Sequence, residues 1–126
     1  ILLDFLKDMK IKIDKKISIL LVEDDIEFSS LILARLIEKG FQVITSDKPV
    51  EAISKLSNQA FQVVLLDLNL HQDSGLKVIE YLRSSKGKDG SNSKTPVILM
   101  SGYLDPQTIR TLAPRVNGIL AKPCSF

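Results

Sequence analysis

The chain has 126 residues, enough for one domain with a core between a sheet and its covering helices, but not for two such domains. Its 44% hydrophobic and 25% charged residues are typical of an ordinary globular protein. The formal net charge of +2 is small, and no apolar stretch approaches the roughly 20 residues of a membrane-spanning helix. We therefore expect neither direct nucleic-acid binding nor membrane insertion. The single cysteine, Cys124, favours a reducing, cytoplasmic setting.

The first sixteen residues account for the whole net charge of +2 and form a segment of their own. Its apolar residues Leu2, Phe5, Leu6 and Met9 recur at helical spacing, which suits a helix lying on an apolar surface of its own molecule or of a partner. We interpret residues 1–16 as an N-terminal extension or linker helix, followed by one domain at residues 17–126.

The domain opens with a short apolar, β-branched run at residues 17–22 that predicts a buried strand. Apolar residues spaced three and four apart then predict a long helix that Asp25 precedes and Gly40 ends. Residues 41–46 predict the second strand. Pro49 suits the first turn of the next helix.

The same alternation continues to the end of the chain. The third strand lies near residue 63, and a helix follows at about residues 75–85. A connection rich in Gly, Ser and Lys at residues 84–95 is expected to be mobile. The remaining elements are a strand at 96–100, a short helix at 106–113 and a strand at 118–121. Apolar strands alternating with helices predict an α/β fold with a doubly wound parallel sheet.

Polar side chains stand at the carboxyl ends of four of these strands, where such sheets bind ligands. The groups are an acidic pair, a lone aspartate, a hydroxyl and an amine: Asp24 with Asp25, Asp67, Ser101 and Lys122. Carboxylates crowded at one edge repel unless a cation neutralises them, and Mg²⁺ prefers such oxygen ligands. The set therefore predicts a site for a divalent cation and a phosphoryl group.

Residues 17–123 resemble the response regulator receiver domain of two-component signalling. The resemblance rests on four pieces: Leu-Leu-Val-Glu-Asp-Asp, Val-Val-Leu-Leu-Asp-Leu-Asn-Leu with Gly75 eight residues beyond its Asp, Val-Ile-Leu-Met-Ser-Gly, and Ala-Lys-Pro. It implies a flavodoxin-like sheet of five parallel strands in the order 2-1-3-4-5. It also implies a phosphoryl group accepted from a sensor histidine kinase or a histidine phosphotransfer domain.

The resemblance assigns roles to the strand-end residues. Asp67 would be the phosphoacceptor, with Ser101 and Lys122 binding the phosphoryl group and switching the conformation. Mg²⁺ would be bound directly by Asp25 and Asp67 and by the backbone carbonyl of Asn69, with Asp24 helping directly or through water. Such a domain catalyses its own modification and is not an enzyme with an independent substrate.

Departures from the family pattern modify these expectations. Ile119 stands where receivers usually have Tyr or Phe, so the conformational response is expected to be altered. Tyr103 is expected to hang over the site and restrict access of water. Receivers normally end in a further helix, whereas this chain stops three residues after Pro123, so the fold is expected to lack its last helix. A homodimer is possible.

Other interpretations remain open at this point. Asp25 precedes a helix and could serve only as its cap. Glu23 is interpreted as a solvated neighbour of the acidic pair, and His71 as an exposed loop residue. A receiver-like interaction module that is never phosphorylated is the main functional alternative. A phosphatase of the haloacid dehalogenase type is disfavoured, because there the nucleophile precedes the acidic pair.

Overall fold

A computed structural model describes residues 1–8, 17–70, 73–84 and 94–122 of the chain. The strands are β1 (Ser18–Val22), β2 (Gln42–Ser46), β3 (Val63–Asp67), β4 (Asn69–Leu70), β5 (Asp73–Ser74), β6 (Val97–Ser101) and β7 (Gly118–Ala121). The helices are α1 (Leu2–Asp8), α2 (Ile26–Glu38), α3 (Pro49–Asn58), α4 (Leu76–Arg83) and α5 (Pro106–Leu112), and a 3₁₀ turn spans Ala113–Arg115.

Five strands form one parallel sheet in the order β2-β1-β3-β6-β7. Because β6 and β7 are the fourth and fifth strands of this sheet along the chain, the predicted order and the flavodoxin-like, doubly wound α/β fold are confirmed. The short strands β4 and β5 pair antiparallel as a separate ribbon, which the sequence interpretation missed. Two-residue strands are too short to show any hydrophobic periodicity.

The apolar side chains of each strand alternate between two core clusters, one on each face of the sheet. In β1, Leu20 and Val22 belong to the cluster that includes residues of α3, α4 and α5. Ile19 and Leu21 belong to the other cluster, which includes residues of α1 and α2. Strands buried on both faces explain why their sequences are apolar almost throughout.

Helix α1 completes the second of these clusters. Leu2 and Leu6 are 0% and 2% exposed and share the cluster with residues of α2 and β7. The ring of Phe5 lies against β7, where a Cβ added to Gly118 would be 2.5 Å from Phe5 Cε1. Residues 1–8 of the N-terminal segment therefore pack on their own molecule, which is one of the two alternatives that the sequence left open. Its separation from the domain at residue 17 stays a prediction.

The side chain of Arg83 ties the end of α4 to the two segments that lead into β6 and β7. Its Nε donates a hydrogen bond to the carbonyl of Arg115 at 2.9 Å, and its Nη1 donates to the carbonyl of Thr95 at 3.1 Å. Burial, with the charge of Arg115, lowers the pKa of Arg83. The guanidinium thus holds together the edge of the sheet on which the last two strands lie.

We expect Arg83→Ala to lower the free energy of unfolding by about 1–3 kcal/mol, because two inward-facing carbonyls lose a charged donor. Urea unfolding measures the change. Arg110→Ala, on the exposed surface of α5, is the matched control and should change stability by less than about 0.5 kcal/mol. Equal effects of the two substitutions would contradict a structural role for Arg83.

Some expectations fall on residues outside the described ranges. They concern most of the connection at 84–95, the loop residue His71, Met9, Cys124 and the missing helix after Pro123. In the part of the chain that the structure describes, no helix has the length and apolar character needed to cross a membrane.

Candidate functional site

The carboxyl ends of four neighbouring strands bring together the side chains of the candidate site. Asp67 is the last residue of β3, Ser101 is the last residue of β6, and Glu23 and Lys122 directly follow β1 and β7. The parallel register places these ends side by side, with Leu66 opposite both Val22 and Leu99. The lysine is held next to β6 because its N–H donates to the Ser101 carbonyl at 2.7 Å.

Three carboxyl groups meet at this edge. Within the described residues, Glu23, Asp24 and Asp67 each place an oxygen within 4.8 Å of the others. Glu23 is 4% exposed and Asp67 is 3% exposed, whereas Asp24 is half-buried. The structure thus confirms that Asp24 and Asp67 lie together, but it adds Glu23 and leaves Asp25 out.

The assignment of the acidic pair is corrected by one residue. Asp25 is exposed, and its Oδ1 accepts the N–H of Phe28 at 3.2 Å as the N-cap of α2. Glu23 still lies beside the sheet, since its N–H donates to the Ser46 carbonyl at 2.9 Å. The expectation that Glu23 is a solvated neighbour was therefore wrong, and the placement of Asp25 as the cap of α2 does not support its expected binding of a metal ion.

A signal for the correct assignment was present in the sequence. The predicted strand ended at Val22, so the next residue is the first that can point inward at the sheet edge. An aspartate immediately before a helix is the usual N-cap. Applying both rules together would have selected Glu23 and Asp24.

Lys122 is the counter-charge of the carboxyl groups. Its ammonium lies 3.1 Å from Asp67 Oδ2 and forms an ion pair with Glu23 Oε1. Burial opposes the positive charge, but hydrogen bonds and charges from Glu23 and Asp67 outweigh it and raise the pKa of Lys122. Burial, with the hydrogen bond to Asp67, raises the pKa of Glu23 to about 7 despite the opposing lysine. One ammonium is too little charge for three carboxyl groups.

The hydroxyl of Ser101 is fully buried and fully engaged. It donates to the Tyr103 carbonyl at 2.8 Å and accepts the Tyr103 N–H at 3.2 Å. It also accepts the side-chain N–H of Asn69 at 2.9 Å, a contact that sequence reasoning missed. The backbone N–H of Asn69 donates to Asp67 Oδ1 at 3.0 Å, so Asn69 bridges the aspartate and the serine.

Tyr103 and Ile119 are the two positions at which the chain departs from the family pattern. Tyr103 is 74% exposed, so its ring is not packed over the carboxyl groups in this conformation. Ile119 is half-buried and packs against the core cluster shared by α3, α4 and α5. A role of Tyr103 in access and an altered response at Ile119 stay predictions.

A family model for the response regulator receiver domain matches residues 19–126 of the chain. The chain therefore belongs to the response regulator receiver domain family of two-component signalling, as the sequence resemblance predicted. Helix α1 lies before the matched residues, although it shares their core.

Curated relatives include the cell cycle transcriptional regulator CtrA of Caulobacter vibrioides, which is 32% identical over 106 residues. The alignment covers 83% of this chain and 43% of that protein, so the chain spans less than half the length of this relative. The CtrA response regulator of Brucella ovis is 37% identical over the same length and coverage.

Among solved structures, the receiver domain of sensor histidine kinase PA1611 from Pseudomonas aeruginosa is similar with a TM-score of 0.74 and 26% identity, covering 88% of each chain. That structure has a magnesium ion coordinated in its active site cleft. The chemotaxis protein CheY4 of Vibrio cholerae is similar with a TM-score of 0.78 and 21% identity, covering 88% of this chain and 90% of that chain. The second likeness shows the fold alone.

Proposed function

We propose that this receiver domain accepts a phosphoryl group on Asp67 from the phosphohistidine of a sensor histidine kinase or a histidine phosphotransfer domain. The observation that carries the proposal is the buried Asp67 carboxylate with the Lys122 ammonium 3.1 Å from its Oδ2. A carboxylate oxygen of Asp67 attacks phosphorus, and the phosphorus–nitrogen bond breaks with its electron pair leaving on the histidine nitrogen. The product is an aspartyl phosphate and a free histidine.

The chain's own residues supply positioning and charge. Phosphoryl transfer spreads negative charge over the equatorial oxygens, and the Lys122 ammonium stabilises that charge from the edge of the sheet. The Asn69 N–H holds Asp67 Oδ1 and the Lys122 ammonium lies on Oδ2, so both oxygens of the attacking carboxylate are held in place. Family membership and the similar fold of the kinase receiver, whose own cleft holds a magnesium ion, support this assignment.

The carboxyl groups fit Mg²⁺ as the cofactor. Three oxygen donors lie close together, and one ammonium does not balance their charge. We assign Glu23, Asp24 and Asp67 as the residues that would hold the ion, with the Asn69 backbone carbonyl as a further proposed ligand. When bound, the ion neutralises the carboxylates and phosphoryl oxygens.

Ser101 is proposed as the conformational reporter. Its hydroxyl proton is now committed to the Tyr103 carbonyl, so donation to a phosphoryl oxygen requires that bond to break. Release of Tyr103 and Asn69 from the serine would alter the loop that follows β6. Such a rearrangement exists only in the phosphorylated state, which is the requirement for a switch.

We also propose how the domain passes on its signal and where it acts. The change at the site would pass to a partner surface or to other parts of a longer protein. We propose a cytoplasmic location, where a histidine kinase would act as phosphodonor, and the single cysteine agrees with a reducing compartment. We also propose that the domain turns over no independent substrate. Homodimer formation stays a prediction.

Intact mass spectrometry after incubation with acetyl phosphate and Mg²⁺ tests the function. We expect the unmodified protein to gain one phosphoryl group, and a chelated sample and the Asp67→Asn variant to gain none. Asp105→Asn is the matched control, because this half-buried aspartate caps α5 and asparagine caps equally well. Absence of any gain, together with no binding of beryllofluoride, would overturn the proposal in favour of an unphosphorylated interaction module.

A further inference from the structure

The ring of Phe28 lies next to the lysine of the site, and none of the roles described above uses it. The Lys122 ammonium is 4.6 Å from the centroid of this ring, within the range of a cation–π interaction. The ring is half-buried and packs against the core cluster shared by α1 and α2. Its other face is therefore turned toward the edge of the sheet where the site lies.

Asp25, which lies outside the group of three carboxyl groups, anchors the backbone of Phe28. The Asp25 carboxylate accepts the Phe28 N–H at 3.2 Å, which anchors the first turn of α2. The Asp25 N–H in turn donates to Glu23 Oε2 at 3.3 Å. The backbone of Phe28 is thus fixed relative to the carboxyl groups through a short path of hydrogen bonds, and core packing holds the ring.

The partners of Lys122 differ in kind. Glu23 and Asp67 hold the ammonium by charge, and both are groups that a bound cation or a phosphoryl group would engage. The ring of Phe28 is uncharged and has no lone pair to offer a cation such as Mg²⁺ in water. Its attraction for the ammonium therefore persists when the carboxylates are neutralised.

We propose that Phe28 is a positioning residue that holds the Lys122 ammonium over Asp67 throughout phosphoryl transfer. The inference rests on the proposed function of Asp67. It assigns Asp25 a supporting role as the cap that holds Phe28 in place. If Phe28 only filled the core, leucine could replace it. Leucine has no π face, so it cannot replace a ring that attracts the ammonium.

The first test is spectroscopic and uses the full chain without metal. An aromatic ring shifts the proton resonances of groups above its face, so the ε-methylene protons of Lys122 should be shifted upfield in the NMR spectrum. We expect Phe28→Tyr to retain this shift and Phe28→Leu to lose it. Equal Lys122 spectra for the leucine and tyrosine variants would overturn the contact.

The second test compares rates of phosphoryl uptake from acetyl phosphate. Loss of a partly desolvated cation–π contact is expected to slow Phe28→Leu about three- to tenfold. Phe28→Tyr should react at close to the unmodified rate. Urea unfolding of both variants identifies conditions in which each is folded, so that a loss of structure is not read as a loss of positioning.

The two proposals fail in different ways. If the unmodified protein takes up no phosphoryl group, the proposed function fails, and the positioning role fails with it even if the ring shift is present. If the unmodified protein reacts but the leucine and tyrosine variants react equally fast, only the positioning role is overturned. A slow leucine variant, a normal tyrosine variant and the matching NMR shifts together support it.

Discussion

Asp24→Asn is expected to weaken Mg²⁺ binding at least 10- to 100-fold, whereas Asp25→Asn is expected to leave it within about threefold. Loss of a supporting group around a metal already costs about 10- to 100-fold in affinity, and Asp24 is placed as part of the oxygen set itself. Asparagine removes the charge of the carboxylate while keeping its shape. Titration with Mg²⁺ followed by NMR chemical shifts measures both affinities.

Asp25→Asn is a close control because the two aspartates are neighbours in the chain. Asparagine is as good an N-cap as aspartate, so α2 should keep its first turn. The carboxylate of Asp25 is exposed, and its long-range attraction for a cation is screened by salt. If Asp25→Asn weakened binding as much as Asp24→Asn, the acidic pair would be Asp24 with Asp25 after all.

Gly75→Ala is expected to lower the free energy of unfolding by about 1–3 kcal/mol or more, which is typical of overpacking at a rigid contact. A Cβ at residue 75 would lie 2.3 Å from the backbone carbonyl oxygen of Asp67 and 3.1 Å from Leu66 Cδ1. The backbone of Gly75 is right-handed, with φ −62°, so space and not conformation excludes the side chain. To relieve this clash, either α4 or Asp67, the proposed nucleophile, must move.

Urea unfolding and phosphoryl uptake together test this expectation. Gly102→Ala is the matched control, since no atom lies within 4 Å of a Cβ there and its φ is not positive. It should change stability by less than about 0.5 kcal/mol. A Gly75→Ala variant as stable and as reactive as Gly102→Ala would show that the close approach is not required.

Much of the fold was predictable from the sequence because each strand is short, apolar and bounded by turn residues. The predicted strand at 118–121 and the helix beginning at Pro106 match β7 and α5 as observed. The ribbon of β4 and β5 was not predictable in the same way, because two residues carry no periodicity. Docking of α1 was predicted from its apolar spacing, but its contact with Gly118 was not.

The sequence by itself determined the sheet order through the family resemblance, and it placed Asp67, Ser101 and Lys122 at strand ends. Local patterns suffice to place residues at strand ends, since a strand that is buried on both faces must end where polar residues begin. The tertiary structure decided which two of three consecutive acids face Asp67, and the strand end at Val22 together with the N-cap rule for Asp25 would have indicated the same two. A one-residue change in where the chain leaves the sheet turns a side chain in a different direction, and the strand-to-helix turn sets that point.

Contacts between distant segments were likewise decided by the tertiary structure. The Asn69 side chain on Ser101 joins residues 32 positions apart, and the Phe28 ring on α2 meets Lys122, which follows β7. No spacing in the chain indicates either contact. They arise because the packing of α2 on the sheet and the path of the loop after β3 bring these side chains together.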